Sequence, residues 1–163
     1  MIIRPAKEDD AETIGELWLE LVYYHLNLDA NMPVPASDGQ YRYAQRIRYS
    51  ITDPYTKTFV AEIDGKLVGY VFGTVIDILP DTFVDERAGM VGDIHVTEVH
   101  RGNGIGKALM QAMIDWFKLR GVKHYEWYVA AANERGRAFW QEAMHGTPVM
   151  IRMRAMIDAD DDD

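Results

Sequence analysis

The spacing of hydrophobic positions changes along the chain, and each change marks an element. Ile2 and Ile3 open a short strand that Pro5 stops. Across residues 8–26, Ile14, Leu17, Trp18, Leu21 and Val22 fall at helical spacing. Residues 28–39 hold Pro33 and Pro35 and read as a loop. A second helix is expected from Asp38 or Gly39 to Ser50, broken by Thr52-Asp53-Pro54. Residues 58–63 and 66–76 are rich in β-branched side chains and flank Asp64-Gly65, a strong hairpin signal. Leu79-Pro80-Asp81 reads as a further turn. Residues 90–97 read as a strand. Residues 104–120 read as a helix with Ile105, Leu109, Ala112, Met113 and Trp116 on one face and Gly121 as its stop. A strand over 123–130, a helix over 133–144 and a last strand over 149–156 complete the series.

The order β-α-α-β-β-β-α-β-α-β predicts the architecture. Three consecutive strands favour antiparallel neighbours, and the later strand-helix-strand passage favours a parallel pair. The expected fold class is α/β (α+β mixed), with a mostly antiparallel twisted sheet flanked by helices. With no internal repeat and no Gly/Ser linker, residues 1–157 read as one domain. Residues 158–163 read as an acidic disordered tail.

Composition narrows the function classes. A chain of 163 residues supports one well-formed core. It has no apolar run near the roughly 18 residues that span a bilayer, so no membrane partner is expected. Its start lacks the basic-then-apolar plan of a signal peptide, which makes a cytoplasmic location the expectation. The lack of cysteine removes disulfides, thiolate metal sites and a Cys nucleophile together. Net charge is −9, and −4 without Asp158 and the four aspartates from Asp160 to Asp163. That balance argues against a nucleic-acid partner and would attract a cationic one. The histidines are scattered without a pair at metal spacing, so no metal is expected.

The most specific chemistry lies at Arg101-Gly102-Asn103-Gly104-Ile105-Gly106, where a strand gives way to a helix. Glycines let a ligand approach the backbone, and the first N–H groups of a helix favour an anion. Arg101 and Lys107 add positive charge at the two ends. The turn therefore reads as a diphosphate cradle. A Walker A loop would need a glycine where Arg101 stands and a Ser or Thr where Ala108 follows Lys107. A dinucleotide fingerprint would need Gly-x-Gly-x-x-Gly early in a βαβ unit, whereas here Gly-x-Gly-x-Gly follows about 100 residues.

Residues 96–110, Val-Thr-Glu-Val-His-Arg-Gly-Asn-Gly-Ile-Gly-Lys-Ala-Leu-Met, closely resemble the acetyl-CoA motif of the GCN5-related (GNAT) N-acetyltransferases. Asn133-Glu134-Arg135-Gly136-Arg137-Ala138-Phe139-Trp140 resembles the Asn-x-x-Ala-x-x-Phe-Tyr helix of the same family. The resemblance implies an enzyme that moves the acetyl group of acetyl-CoA, its cosubstrate, to a primary amine of a small molecule or peptide by direct attack. It implies that the backbone around Ile94, His95 and Val96 pairs with pantetheine and polarises the acetyl carbonyl. It places Gly102, Asn103, Gly104, Ile105, Gly106 and Lys107 with Arg101 at the diphosphate, and Asn133 and Trp140 along the cofactor. Dimers are common among such proteins.

The sequence departs from a common family pattern at both proton carriers. Gly92-Asp93 stands where polyamine-acetylating relatives have Glu-Asp, and Trp140 stands where a tyrosine is often the acid. An indole N–H donates hydrogen bonds but is no practical acid toward sulfur. Asp93 and His95 are the nearest candidate bases, on one face of their strand if alternation holds and off it if a bulge intervenes. The alternative reading is an acyl-CoA-binding module that has lost turnover. His25, near an expected acceptor site, and Tyr23, Tyr24, Tyr41, Tyr43 and Tyr49 are further candidates for its wall.

Overall fold

The computed structural model describes residues 1–77, 79, 82–84 and 86–155. A five-stranded sheet runs in the order β1-β2-β3-β4-β5. The strands are β1 (Ile2–Pro5), β2 (Thr56–Ile63), β3 (Lys66–Asp77), β4 (Arg87–Val96) and β5 (Tyr125–Trp127). Every neighbouring pair is antiparallel except β4 and β5, which are parallel. The expected mixed sheet is therefore the one that forms. The β2–β3 turn is tight because Asp64 and Gly65 both take positive φ (50° and 76°), the dihedrals a two-residue hairpin demands.

Two helices cover one face of the sheet and one covers the other. Helix α1 (Ala11–Leu28) and helix α2 (Gly39–Thr52) bury Ile14, Leu17, Tyr43 and Ile47 against Val60, Tyr70 and Phe72. Helix α1 begins three residues later than its periodicity suggests, because Glu8–Asp10 form a separate short 3-10 turn. That turn is tied down by Asp10, which accepts two bonds from Arg4 at 2.7 and 2.9 Å; Arg4 also reaches Glu62. On the opposite face, helix α3 (Ile105–Leu119) buries Ile105, Leu109, Met110, Met113, Trp116 and Phe117. Its stop is Gly121, at φ 73°. Residues 133–144 depart from a regular helix. Only Glu134–Ala138, helix α4, is α-helical, and Phe139–Ala143 widen into a π turn closed by Met144 N–H to the Phe139 carbonyl.

The C-terminal expectation needs correction. Residues 149–155 form no strand, and Val149, Met150, Ile151 and Met153 are exposed. The strand meant to receive them is also short, three residues instead of the eight expected. Alternation alone makes no strand without a neighbour to satisfy its backbone. Met156, the acidic tail at 158–163, and Pro80 and Asp81 of the expected turn lie outside the described residues.

Candidate active site

Strands β4 and β5 touch over three residue pairs only: Gly89 with Tyr125, Met90 with Glu126, and Val91 with Trp127. Beyond Val91, β4 continues to Val96 with no strand partner on that side among the described residues, so the two parallel strands part. Thr97 N–H donates to the Val68 carbonyl, and the His95 carbonyl points at Gly69. Alternation then turns the backbone groups of Ile94 and Val96 to the other edge, into the gap. His95 presents its backbone to β3 and only its side chain to the site.

A bulge does occur in β4. Phe72 pairs with Asp93 but Gly73 pairs with Val91, so Gly92 is the extra residue. It lies upstream of Asp93, and Asp93 and His95 consequently keep one face, opposite Phe72 and Tyr70. A Cβ at Gly92 would sit 3.0 Å from the Phe72 ring. A larger residue there has to displace that ring.

On this face Asp93 accepts a hydrogen bond from the Tyr43 hydroxyl at 2.8 Å. Burial pushes its carboxyl above the usual range, against the opposing pull of Tyr43 and of the Arg46 guanidinium. The Tyr70 hydroxyl is buried beside them and has no hydrogen-bond partner among the described residues. Burial also lifts both tyrosines well above the ordinary phenol, so neither ionises near neutrality. His95 is 4% exposed, and its Nε2 lies 3.1 Å from a Glu20 carboxylate oxygen. Burial holds this imidazole below the usual value, partly offset by Glu20. It is therefore neutral near pH 7, the form a base needs.

At the end of β4 the chain turns through a 3-10 segment, Glu98–His100, into the glycine-rich stretch. Gly102 and Gly104 take φ 84° and 77°, and added Cβ atoms there would meet nothing within 4 Å. These glycines are required by backbone dihedral, and their open side leaves room for a ligand. Gly106 differs: its Cβ would touch the Phe139 ring at 3.4 Å, so it serves helix packing. The first helical bond of α3 runs from Ala108 N–H to Gly104 O. The N–H groups of Ile105, Gly106 and Lys107 are left without intrahelical acceptors. Ile105's side chain is core, while Asn103 and Lys107 are exposed. Arg101 bends back: its Nε donates to the Val96 carbonyl at 2.8 Å and its guanidinium lies 4.6 Å over the Tyr24 ring.

The far wall of the gap is α4. Asn133 caps it, accepting Gly136 N–H at 2.8 Å, and is itself buried. Its side chain also meets Tyr24 Oη at 3.3 Å and His25 Nε2 at 3.2 Å. An amide NH₂ can only donate, so His25 accepts with Nε2 and is neutral; burial, the main cause, holds its basicity down. Trp140 is buried and stacked on Trp127 at 4.3 Å, inside the α3-side core. Tyr43 stacks on Trp18 at 5.0 Å, whereas Tyr23, Tyr41 and Tyr49 are exposed.

Glu20, and the hydroxyl of Tyr24, join the site outside the sequence expectation. The signal was present: Glu20 follows Leu17 by three and precedes Tyr24 by four, on the stripe that buries Ile14 and Leu17. A carboxylate at core spacing asks for a partner. Among the described residues no cluster of three or more His, Asp or Glu is disposed to hold a metal.

Two parallel strands thus part beside a helix whose first N–H groups have no intrahelical acceptor. The model of the acetyltransferase (GNAT) family matches residues 19–146, and the chain belongs to that family. It is 29% identical over 102 residues to an L-2,4-diaminobutyric acid acetyltransferase of Nocardia farcinica, covering 63% of this chain and 50% of that protein. It is 34% identical over 86 residues to an uncharacterized N-acetyltransferase of Archaeoglobus fulgidus, covering 50% and 54% respectively. The matches thus span about half the length of these relatives. A mutant form of a Bacillus halodurans protein shares the fold, with a TM-score of 0.85 at 22% identity, over 96% of this chain and 99% of that one.

Proposed function

We propose that the chain is an acetyl-CoA-dependent N-acetyltransferase acting on a primary amine of a small molecule or peptide. The observation that carries this reading is the edge of β4 from Gly92 to Val96, which no described strand pairs and where Arg101 takes only the Val96 carbonyl, leading on to the N-terminus of α3. Acetyl-CoA is a cosubstrate of matching shape. Its diphosphate would take the free N–H groups at Ile105, Gly106 and Lys107, with the Lys107 ammonium close by and Gly102, Asn103 and Gly104 shaping the turn. Its pantetheine arm would pair with the Ile94 and Val96 backbone across the gap from Asn133. Arg101 and Trp140 then serve as supports for the turn and for β5. A backbone N–H aimed at the acetyl oxygen would stabilise charge as the tetrahedral centre forms.

The acceptor would enter from the α1–α2 face, where Asp93 and His95 lie. A lysine-like ammonium must lose a proton before attack, at a cost of about 4–5 kcal/mol at pH 7. Neutral His95 is the better-placed base, since Asp93 is already engaged by Tyr43. Names of relatives include a diamino acid acetyltransferase, which accords with a cationic acceptor. The test mixes protein and acetyl-CoA with polyamines, aminoglycosides, amino acids and peptides and follows free thiol. Thiol release with one acceptor class supports the reading.

A second reading, an acyl-CoA-binding module without turnover, is favoured by Gly92 and by the burial of Trp140, which leave two customary proton carriers missing. Acetyl-CoA binding with no thiol release for any acceptor selects it.

A further inference from the structure

Glu20 stands outside every motif, yet it makes the one side-chain hydrogen bond of the His95 ring among the described residues. The contact joins the third turn of α1 to the unpaired part of β4, 75 residues away in sequence. His95 is almost sealed, its side chain 3% exposed, while that of Glu20 is 54% exposed. A carboxylate can only accept, so the hydrogen between them belongs to His95 Nε2. In the neutral ring the lone pair then belongs to Nδ1. No protein group among the described residues bonds Nδ1, and it is absent from the sealed, unsatisfied polar atoms. The basic nitrogen is thus left without a protein partner among the described residues.

We propose that Glu20 is a positioning residue that fixes the tautomer and basicity of His95, leaving Nδ1 to take a proton from the acceptor. The proposal rests on the acetyltransferase reading above. In the step, Nδ1 removes one proton from the acceptor ammonium, and the freed amine attacks the thioester carbon. The C–N bond forms, the C–S bond breaks, the second amine proton goes to the departing thiolate, and imidazolium returns its proton to solvent. The titratable and charged groups facing His95 are Glu20 and His25 from α1 and Arg101 from the turn after β4; His25 and Tyr70, its β3 partner, are neutral. Glu20 is the one that stabilises the imidazolium, and Arg101 opposes it.

Ring-nitrogen NMR on the full chain tests this, with His95→Gln identifying the resonance. Wild type should show the Nε2–H tautomer. Glu20→Gln keeps an acceptor oxygen but loses the charge, so the His95 pKa should fall by about one unit, the low end for an opposite charge because Glu20 is half exposed. Glu20→Ala should lose the tautomer preference as well, and Glu20→Asp should restore part of the pKa. With an amine that gives thiol release, the acid limb of kcat/KM should move down with Glu20→Gln by the same interval. An Nδ1–H tautomer in wild type, or an unmoved pKa in Glu20→Gln, overturns the proposal. Full rate and an unchanged acid limb in His95→Gln would instead remove His95 as the base, a failure separate from the Glu20–His95 pairing the NMR reads.

Discussion

His25 and Asn133 meet across the mouth of the gap, Asn133 Nδ2 lying 3.2 Å from His25 Nε2 although they are 108 positions apart in sequence. Tyr24 joins the same amide and also lies beneath the Arg101 guanidinium. The end of α1 therefore touches both walls of the gap, which in the proposed reading ties the acceptor side to the cofactor side.

Asn133→Ala removes the α4 cap and both links to α1. Loss of the cap alone should cost about 1 kcal/mol in denaturant unfolding. Acetyl-CoA affinity should fall more than that stability change implies. His25→Ala leaves the cap in place, so it should weaken acetyl-CoA several-fold with stability nearly unchanged. Equal affinity in both variants by calorimetry would show that the tie does not serve the cofactor.

Asp93 and Asp10 should give opposite pH signatures. Arg4 holds the Asp10 carboxyl below the usual range, so its stabilisation is present above the unfolded pKa near 3.8 and is lost as pH falls through the folded value. Asp10→Asn should flatten that acid loss. Burial raises Asp93, so its contribution is fully present below the unfolded pKa and is lost as pH rises through the folded one. Asp93→Asn retains an acceptor for Tyr43 and should be at least as stable as wild type at pH 7. Thermal melts between pH 3 and 7 check both signs.

Tyr43→Phe removes the hydroxyl that donates to Asp93. A buried carboxylate losing its donor should cost about 1–3 kcal/mol at pH 7. The cost should shrink in the Asp93→Asn background, a coupling that a double-mutant cycle measures.

The element order as far as β5 and the glycine-rich turn before α3 were legible because each rests on a local rule. Asp64-Gly65 specifies its hairpin, Gly121 its helix stop, and Gly102 and Gly104 a turn that only positive φ can make. The face shared by Asp93 and His95 was legible except for the bulge, whose place at Gly92 depends on how β4 meets Phe72. Three features were out of reach because they are tertiary. The α4 helix loosens into a π turn where Trp140 seeks Trp127. Residues 149–155 alternate correctly but find no strand to join. The Glu20–His95 and His25–Asn133 contacts need α1 laid across the gap, which spacing along α1 suggests but cannot locate.

The central claim, that the turn before α3 carries the diphosphate of acetyl-CoA, is tested most directly by titrating acetyl-CoA into wild type, Gly104→Ala and Gly104→Glu by calorimetry. Gly104 sits at φ 77° with open space beyond it, so alanine introduces backbone strain of about 1–2 kcal/mol. Glutamate adds a carboxylate against the phosphates. The account predicts tight binding to wild type, moderate weakening in Gly104→Ala and loss of at least about a hundredfold in Gly104→Glu with the fold intact. Unchanged affinity in folded Gly104→Glu would contradict it.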